Sequence, residues 1–159
     1  MRAWLTDDGS LTARLKARCA GFGVKNLHSS LGNVNPDEHA LFGLRAGPQG
    51  YVREVFLMCA GRPAIFAHSI VPVHALRRAW RGLRRQGAKP LGETLWADRE
   101  ITRHPLSFRC LSAPHPLYRR LASHLPEVPG SLWARRSLFL RGSAPLWVTE
   151  VFLPPVFEL

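Results

Sequence analysis

Two pairs of apolar runs constrain the fold of this chain more than any other feature. Residues 51–60 and 64–73 flank Gly61-Arg62, and residues 133–140 and 146–153 flank the turn sequence RGSAP. Runs of this length, separated by turn residues, predict two antiparallel hairpins. Because few helical segments accompany these hairpins, the pattern favours an α+β fold built on an antiparallel sheet.

Shorter elements are predicted around the hairpins. Ser10 is a suitable N-cap for an amphipathic helix over residues 11–19. The segment from Val24 to Gly50 predicts one strand near 24–27 and then irregular loop, and KPLGETL (89–95) predicts a loop leading into a short element. Further predictions are helices at 74–86 and 116–125 and a strand at 106–111.

Length and hydropathy bound the class of protein. The chain has 159 residues, of which 46% are hydrophobic, so we expect one domain, 1–159, with a substantial core. The longest uncharged stretch, residues 63–76, contains two prolines and two histidines and is too short to span a bilayer. The N-terminus lacks the apolar run of a signal peptide, so we expect a cytoplasmic protein without stable membrane insertion.

Cysteine and histidine patterns argue against metal sites and disulfides. The three cysteines, Cys19, Cys59 and Cys110, are an odd number, lie far apart and form no CxxC pair, which predicts free thiols. The seven histidines form no HxH or HxxxH pair, so we expect no metal. Nucleotide-binding and serine-hydrolase motifs are also missing from the sequence.

Positive charge is the strongest bias in the composition. The net charge is +11, and 19 of the 22 basic residues are arginine. The densest cluster lies in residues 74–90, where an exposed helix face explains it better than a nucleic-acid site does. We therefore expect no nucleic-acid partner, although an excess of positive charge also attracts small anionic ligands.

Charged residues inside apolar strands are the best functional signal. Strand alternation puts Arg53 in a row with Val55 and Leu57, and it puts Glu150 in a row with Val148 and Phe152. Arg136 similarly lies in an apolar row of its strand, between Ala134 and Leu138. A buried ion without a partner costs several kcal/mol, so each of these charges needs one.

Three interpretations of these charges are open. Arg53 and Glu150 form a core salt bridge with each other, or with Arg136 and Glu54; alternatively, the opposite face of each strand is the core. In the third interpretation the sheet closes over a cavity, where Arg53 binds a carboxylate through a bidentate fork and Glu150 meets a hydroxyl group. The Pro-Leu-Gly turn at 90–92 adds backbone N–H groups that suit an anion.

The order and spacing of six segments resemble the bacterial chorismate pyruvate-lyases, a family of the ubiquinone pathway. The resemblance extends from about Trp4 to Pro154, nearly the whole chain. No single motif decides it, but the charges inside the apolar strands are shared. The segments are WLTDDGSLT, VREVFLMCAGRP, SIVPVHAL, KPLGETLW, LWARRSLFL and PLWVTEVFLP.

The resemblance implies a lyase that converts chorismate to 4-hydroxybenzoate and pyruvate without a metal or organic cofactor. It implies one antiparallel sheet of about six strands, with helices on one face and flaps that enclose the ligand. In the family's pattern Arg53 and the backbone of Leu91 and Gly92 bind the ring carboxylate, while Glu150 meets the ring hydroxyl. Leu11 takes the place of a methionine that lines the pocket in one member. We assign Arg136 to the second carboxylate.

Two departures from the family's pattern affect the flaps. The chain begins almost at the WL motif, without the N-terminal helical segment of some members, and it has a longer stretch over 104–131. The expected partners are chorismate and 4-hydroxybenzoate, and the expected state is a monomer. The main alternative is a sensing domain of the same fold type that binds an aromatic acid without converting it.

Overall fold

The computed structural model describes residues 1–42 and 49–159. The α-helices are α1 (Arg2–Leu5), α2 (Leu11–Arg18), α3 (Val73–Arg77), α4 (Leu91–Ala97) and α5 (Pro116–Ala122). Turns of 3-10 helix occupy Pro36–Phe42, Arg81–Arg85 and Pro154–Glu158. The strands are β1 (Phe22–Asn33), β2 (Gln49–Cys59), β3 (Arg62–Pro72), β4 (Ile101–Arg103), β5 (Ser107–Ser112), β6 (Ser131–Arg141) and β7 (Ala144–Phe152).

All of these strands belong to one antiparallel sheet. Their order is β1-β2-β3-β7-β6-β4, and β5 pairs with the remaining length of β6. The hairpins β2–β3 and β6–β7 are the two predicted from the sequence, and β3 pairs with β7 to join them. The α+β prediction is confirmed, with seven strands in the described part of the chain instead of about six.

The register places residues of four neighbouring strands in rows that cross the sheet. Arg53 lies opposite Ser69, which lies opposite Val148, and Val148 lies opposite Ser137. Because side chains alternate along a strand, these residues share one face, which we call the cavity face. The preceding or following residue in each strand points to the other face, which we call the α5 face.

Both faces of the sheet are covered. On the cavity face one apolar cluster joins Leu11 and Leu15 of α2 to the sheet, and a second joins Leu91 and Leu95 of α4 to the sheet. On the α5 face Leu117 and Leu121 of α5 pack against Phe56, Phe66 and Val151. The prediction of helices on one face therefore needs correction, because the 104–131 region supplies a helix that covers the other face.

Several elements differ from the sequence-based predictions. Ser10 caps α2 as predicted, but β1 is much longer than residues 24–27 because it pairs along the whole of β2. The helix predicted at 74–86 breaks between α3 and Arg81–Arg85, which allows Trp80 to be buried and to donate a hydrogen bond to the carbonyl of Ala144. KPLGETL contains the first turn of α4. Residues 43–48 of the predicted loop lie outside the described residues.

Cys19 and Cys59 form a disulfide, so the prediction of free thiols is wrong for this pair. Cys19 follows α2 directly and Cys59 ends β2, and their Cα atoms lie 5.5 Å apart although 40 positions separate them in the sequence. Their spacing therefore gave no sign of the pairing. Cys110 is a free, exposed thiol. None of the helices within 1–42 and 49–159 is long and apolar enough to cross a membrane.

Candidate active site

A cavity separates the cavity face of the sheet from α2 and α4. It encloses about 550 Å³ of space free of protein atoms, part of it open to solvent. Members of both apolar clusters line the cavity, and polar groups lie between them. The lining residues on which the argument depends are Leu11, Thr12, Arg53, Leu91, Gly92, Trp96, Arg103, Arg135, Ser137 and Glu150.

Arg53 is buried in the cavity wall and has no carboxylate partner among the described residues. Only 2% of its surface is exposed. Its Nη2 donates hydrogen bonds to the backbone carbonyls of Gly87 (2.9 Å) and Lys89 (3.0 Å). Its Nε is buried without a hydrogen-bond partner in the part of the chain that is described. Burial lowers the pKa of Arg53, as expected for a guanidinium without a counter-ion.

Glu150 shares the cavity with Arg53 but pairs with a different arginine. Arg135 lies opposite Glu150 across β6 and β7, and its Nε donates to Oε2 of Glu150 at 2.5 Å. The second carboxylate oxygen, Oε1, makes no hydrogen bond with the described residues, and the Glu150 side chain is 16% exposed. The Arg53–Glu150 salt bridge considered from the sequence is therefore not formed, and Glu150 retains a free acceptor toward the cavity.

The first turn of α4 forms the roof of the cavity together with α2. Leu91 and Gly92 are the first two residues of α4, and their N–H groups have no partner within the helix. A Cβ at Gly92 would lie only 2.5 Å from Oγ1 of Thr12, so glycine allows α2 and α4 to approach closely. Leu11, at the start of α2, lines the cavity as well.

Arg136 does not line this cavity. It lies on the α5 face, where its Nε donates to Thr149 Oγ1 at 2.8 Å and its Nη2 donates to Glu38 at 3.4 Å. The neighbouring residue Arg135 faces the cavity instead. The sequence pattern did not distinguish the two arginines, because both rows of this strand contain apolar residues. The assignment of Arg136 to the second carboxylate therefore needs correction.

The N-terminal segment closes part of the cavity mouth. Arg135 Nη1 donates to the carbonyl of Asp7 at 2.5 Å and makes longer bonds to the carbonyls of Trp4 and Leu5. Arg103 Nη1 donates to the carbonyl of Asp8 at 2.6 Å. The connection between α1 and α2 is thus attached to the sheet by two arginines. Arg103 was not apparent from the sequence, because a strand of three residues is too short to show alternation.

A second buried group of charges lies on the α5 face. His68 accepts or donates at both ring nitrogens, 2.8 Å from Glu54 and 3.2 Å from Glu38. Arg120 and Arg136 also contact these two carboxylates. Burial alone would lower the pKa of His68, but the two glutamates outweigh it and raise its pKa to about 9. This group ties the 3-10 turn Pro36–Phe42 to the sheet and does not reach the cavity.

Metal ligands are not gathered anywhere in the described ranges. Across residues 1–42 and 49–159, no three side chains of His, Cys, Asp or Glu come together as a metal site would require. The polar groups of the cavity are arginines, one glutamate, hydroxyls and backbone N–H groups, which suit an organic anion. The expectation that no cofactor takes part stays a prediction.

Fold and cavity together define an α+β protein with a cavity, lined by arginines and a glutamate, between an antiparallel sheet and two short helices. The sequence profile described as chorismate lyase matches residues 1–159. The "Probable chorismate pyruvate-lyase" of Aromatoleum aromaticum is 49% identical over 162 residues, covering 100% of this chain and 87% of the relative. The protein of the same name from Nitrosospira multiformis is 46% identical, covering 99% and 88%. The chain belongs to the chorismate lyase family and is a lyase.

Solved structures with a similar fold include PhnF and a domain of a repressor. PhnF from Mycobacterium smegmatis matches with a TM-score of 0.65 at 17% identity, covering 94% of this chain and 65% of that chain. The C-terminal domain of the histidine utilization repressor from Pseudomonas syringae matches with a TM-score of 0.60 at 10% identity, covering 87% and 96%. At this level of identity the similarity establishes the fold alone.

Proposed function

We propose that this protein eliminates pyruvate from chorismate and releases 4-hydroxybenzoate for the ubiquinone pathway. The observation that carries the proposal is the state of Arg53, a buried guanidinium in the cavity wall without a carboxylate partner among the described residues. A buried charge of this kind is costly unless a ligand of opposite charge compensates it. An aromatic carboxylate that fills the apolar cavity supplies such a charge.

Arg53 and the first turn of α4 bind the ring carboxylate in this proposal. Hydrogen bonds to Gly87 and Lys89 hold Arg53 Nη2 in place, and Nε has no partner within the described chain. The N–H groups of Leu91 and Gly92 provide neutral donors at the edge of the same cavity. Charge-assisted hydrogen bonds to a carboxylate are about twice as strong as neutral ones.

Glu150 orients the ring hydroxyl. Its Oε1 is free to accept from a hydroxyl, while Arg135 fixes the opposite oxygen. In the reaction the ether C–O bond breaks and the ring carbon that bears the hydroxyl loses its hydrogen. The methylene carbon of the enolpyruvyl group receives this hydrogen, which yields pyruvate, and the ring becomes aromatic. The protein has to hold the ether arm in the reactive pose and exclude water.

Conversion of chorismate by the purified protein tests the proposal directly. Chorismate is added, and 4-hydroxybenzoate is followed by its absorbance while pyruvate is measured with a coupled assay. The proposal expects equal amounts of both products, with unchanged rates after treatment with a chelator. Binding of chorismate without the appearance of either product would contradict it.

A sensing role is the second candidate, favoured by the fold similarity to a domain of a repressor. A sensor of the same fold would retain an aromatic acid and would not turn chorismate over. The conversion assay separates the two roles. The organisation of residues 1–159 as one domain, the monomeric state and the cytoplasmic location stay predictions.

A further inference from the structure

Three guanidinium groups and one carboxylate line the cavity. They belong to Arg53, Arg103, Arg135 and Glu150. The carboxylate of Asp7, near the mouth, is engaged by Arg14. Among the described residues that line the cavity, two positive charges are therefore left uncompensated, which is the number of charges that a dicarboxylate brings. Arg53 accounts for one of them.

Arg135 does not supply the second charge. Its Nε is bonded to Glu150, and its Nη1 donates to three backbone carbonyls of the N-terminal segment. The ion pair with Glu150 neutralises its charge, and its side chain is only 1% exposed. Arg136 is excluded by its position on the α5 face, where Thr149 and Glu38 bind it.

Arg103 is held in the cavity wall entirely by neutral groups. Its Nε and Nη2 donate to Ser137 Oγ at 3.0 and 2.9 Å, and its Nη1 donates to the carbonyl of Asp8. The rings of Trp96 and Phe139 lie 5.7 and 5.6 Å from its guanidinium carbon. A guanidinium has five N–H donors, so these three bonds leave two for a ligand. Its positive charge is not cancelled by any of these contacts.

The two uncompensated arginines line the cavity from β2 and β4, which β3, β7 and β6 separate in the sheet. Ser137, which holds Arg103, and Arg53 belong to the row that also contains Val148 and Ser69. Three strand spacings separate Ser137 from Arg53, or about 14 Å between their backbones. Both guanidinium groups line the same cavity, so a ligand with two carboxylates can contact both of them.

We propose that Arg103 binds the carboxylate of the enolpyruvyl arm of the substrate, and that Arg53 binds the ring carboxylate. The assignment rests on the proposed chorismate lyase activity and makes the cavity selective for a dicarboxylate over a monocarboxylate. Breaking the ether bond divides the two carboxylates between two products, so 4-hydroxybenzoate retains only the contact to Arg53. Arg103 therefore contributes to substrate binding and to the pose of the ether arm, but not to retention of the aromatic product.

The variant Arg103→Gln tests this division. We expect kcat/KM for chorismate to fall at least about tenfold, as for the loss of a hydrogen bond to a charged group. The dissociation constant of 4-hydroxybenzoate, measured by titration calorimetry, should stay within about twofold of that of the parent protein. Arg103→Lys, which keeps the charge, should recover part of the lost kcat/KM. The control Arg99→Gln removes the same charge from an exposed site and should change neither quantity.

Each other outcome overturns the assignment. Equal weakening of chorismate and 4-hydroxybenzoate would mean that Arg103 only fastens the N-terminal segment over the mouth. Unchanged kcat/KM would mean that it does not contact the substrate. If the parent protein fails to convert chorismate, the proposed function fails and this assignment with it; if the parent converts chorismate and Arg103→Gln does so equally well, only the assignment fails.

Discussion

Arg135 and Glu150 face each other across the β6–β7 pair, and the bond between Nε and Oε2 is 2.5 Å long. Glu150 lines the cavity, and this bond leaves one of its oxygens without a hydrogen bond among the described residues while a buried cation holds the other. The bond to Arg135 fixes the position of the carboxylate, and the other carboxylate oxygen can still accept a hydrogen bond from a ligand. The free oxygen is what makes Glu150 a candidate for contact with the substrate.

Glu150→Gln should fold but convert chorismate at least about tenfold more slowly. The amide keeps the size of the side chain but removes the charge, so it accepts more weakly from a ring hydroxyl and leaves Arg135 without its counter-ion. The rate of product formation is the measurement, with circular dichroism to verify folding. Glu127→Gln, at an exposed site, is the matched control. A parental rate in Glu150→Gln would reduce Glu150 to a structural role.

Arg53→Ala should weaken the binding of both chorismate and 4-hydroxybenzoate by at least about tenfold, because both ligands contain the ring carboxylate. Titration calorimetry with each ligand measures the effect. Arg84→Ala, which removes an exposed arginine outside the cavity, should leave both affinities unchanged. Parental affinities in Arg53→Ala would remove Arg53 from the binding site.

Gly92→Ala should weaken the binding of 4-hydroxybenzoate, because the added Cβ would lie 2.5 Å from Thr12 Oγ1 and 3.1 Å from Thr12 Cβ. Contacts this short force α2 away from α4 and alter the roof of the cavity. Adding Thr12→Ala to Gly92→Ala removes the hydroxyl and should restore part of the affinity. Calorimetry on both variants and on Thr12→Ala alone measures the coupling. An unaltered affinity in Gly92→Ala would show that the roof tolerates the displacement.

Stability should depend on pH through the charges on the α5 face. The pKa of His68 is raised from 6.5 to about 9, so its stabilising effect is complete below pH 6.5 and is lost as the pH rises through 9. The pKa values of Glu38 and Glu54 are lowered despite burial, mainly by His68, so their contribution is lost as the pH falls below 4.5. Maximum stability is therefore expected between pH 4.5 and 6.5.

His68→Gln should remove most of the loss of stability on the alkaline side, which amounts to a few kcal/mol of unfolding free energy. Urea denaturation at a series of pH values gives the slope. His104→Gln changes an exposed histidine and should keep the parental slope. A slope that survives in His68→Gln would assign the pH dependence to other groups.

Reduction of the Cys19–Cys59 disulfide should lower the free energy of unfolding by about 4 kcal/mol, given the 40 positions that the bond spans. Urea denaturation with and without a reducing agent measures this difference, and the double variant Cys19→Ser, Cys59→Ser should be insensitive to the reductant. Cys110→Ser should retain the full effect, since Cys110 is free. Identical curves in both conditions for the parent protein would rule out the bond in solution.

Much of the fold was predictable because the two hairpins have long apolar runs with clear turns. Arg53 and Glu150 were recognisable because a charge interrupts an apolar row, and the structure brings both to one cavity. The pairing partners were not predictable, because sheet order decides which strand faces which. The register of the β6–β7 pair puts Arg135 opposite Glu150, and the β3–β7 pairing joins this hairpin to the one that contains Arg53.

The remaining site residues lacked a signal in the sequence. Arg135 and Arg136 are adjacent, and a sheet covered on both faces gives apolar residues in both rows. Arg103 lies in a strand too short for alternation, and the network around His68 joins three distant segments. The resemblance to a known family supplied the roles of Leu91 and Gly92, which their sequence alone left ambiguous.

Adjacent charged residues that point to opposite faces of the sheet affect how the strands reach their native register. Arg53 and Glu54 are neighbours, as are Arg135 and Arg136, yet each pair sends one charge to the cavity and one to the network around His68. A shift of any central strand by one position would exchange the faces of these side chains. Several ions would then be buried in apolar surroundings without a partner. The hydrophobic pattern alone would tolerate such a slip, so the same charges that equip the two faces also penalise misaligned sheets during folding.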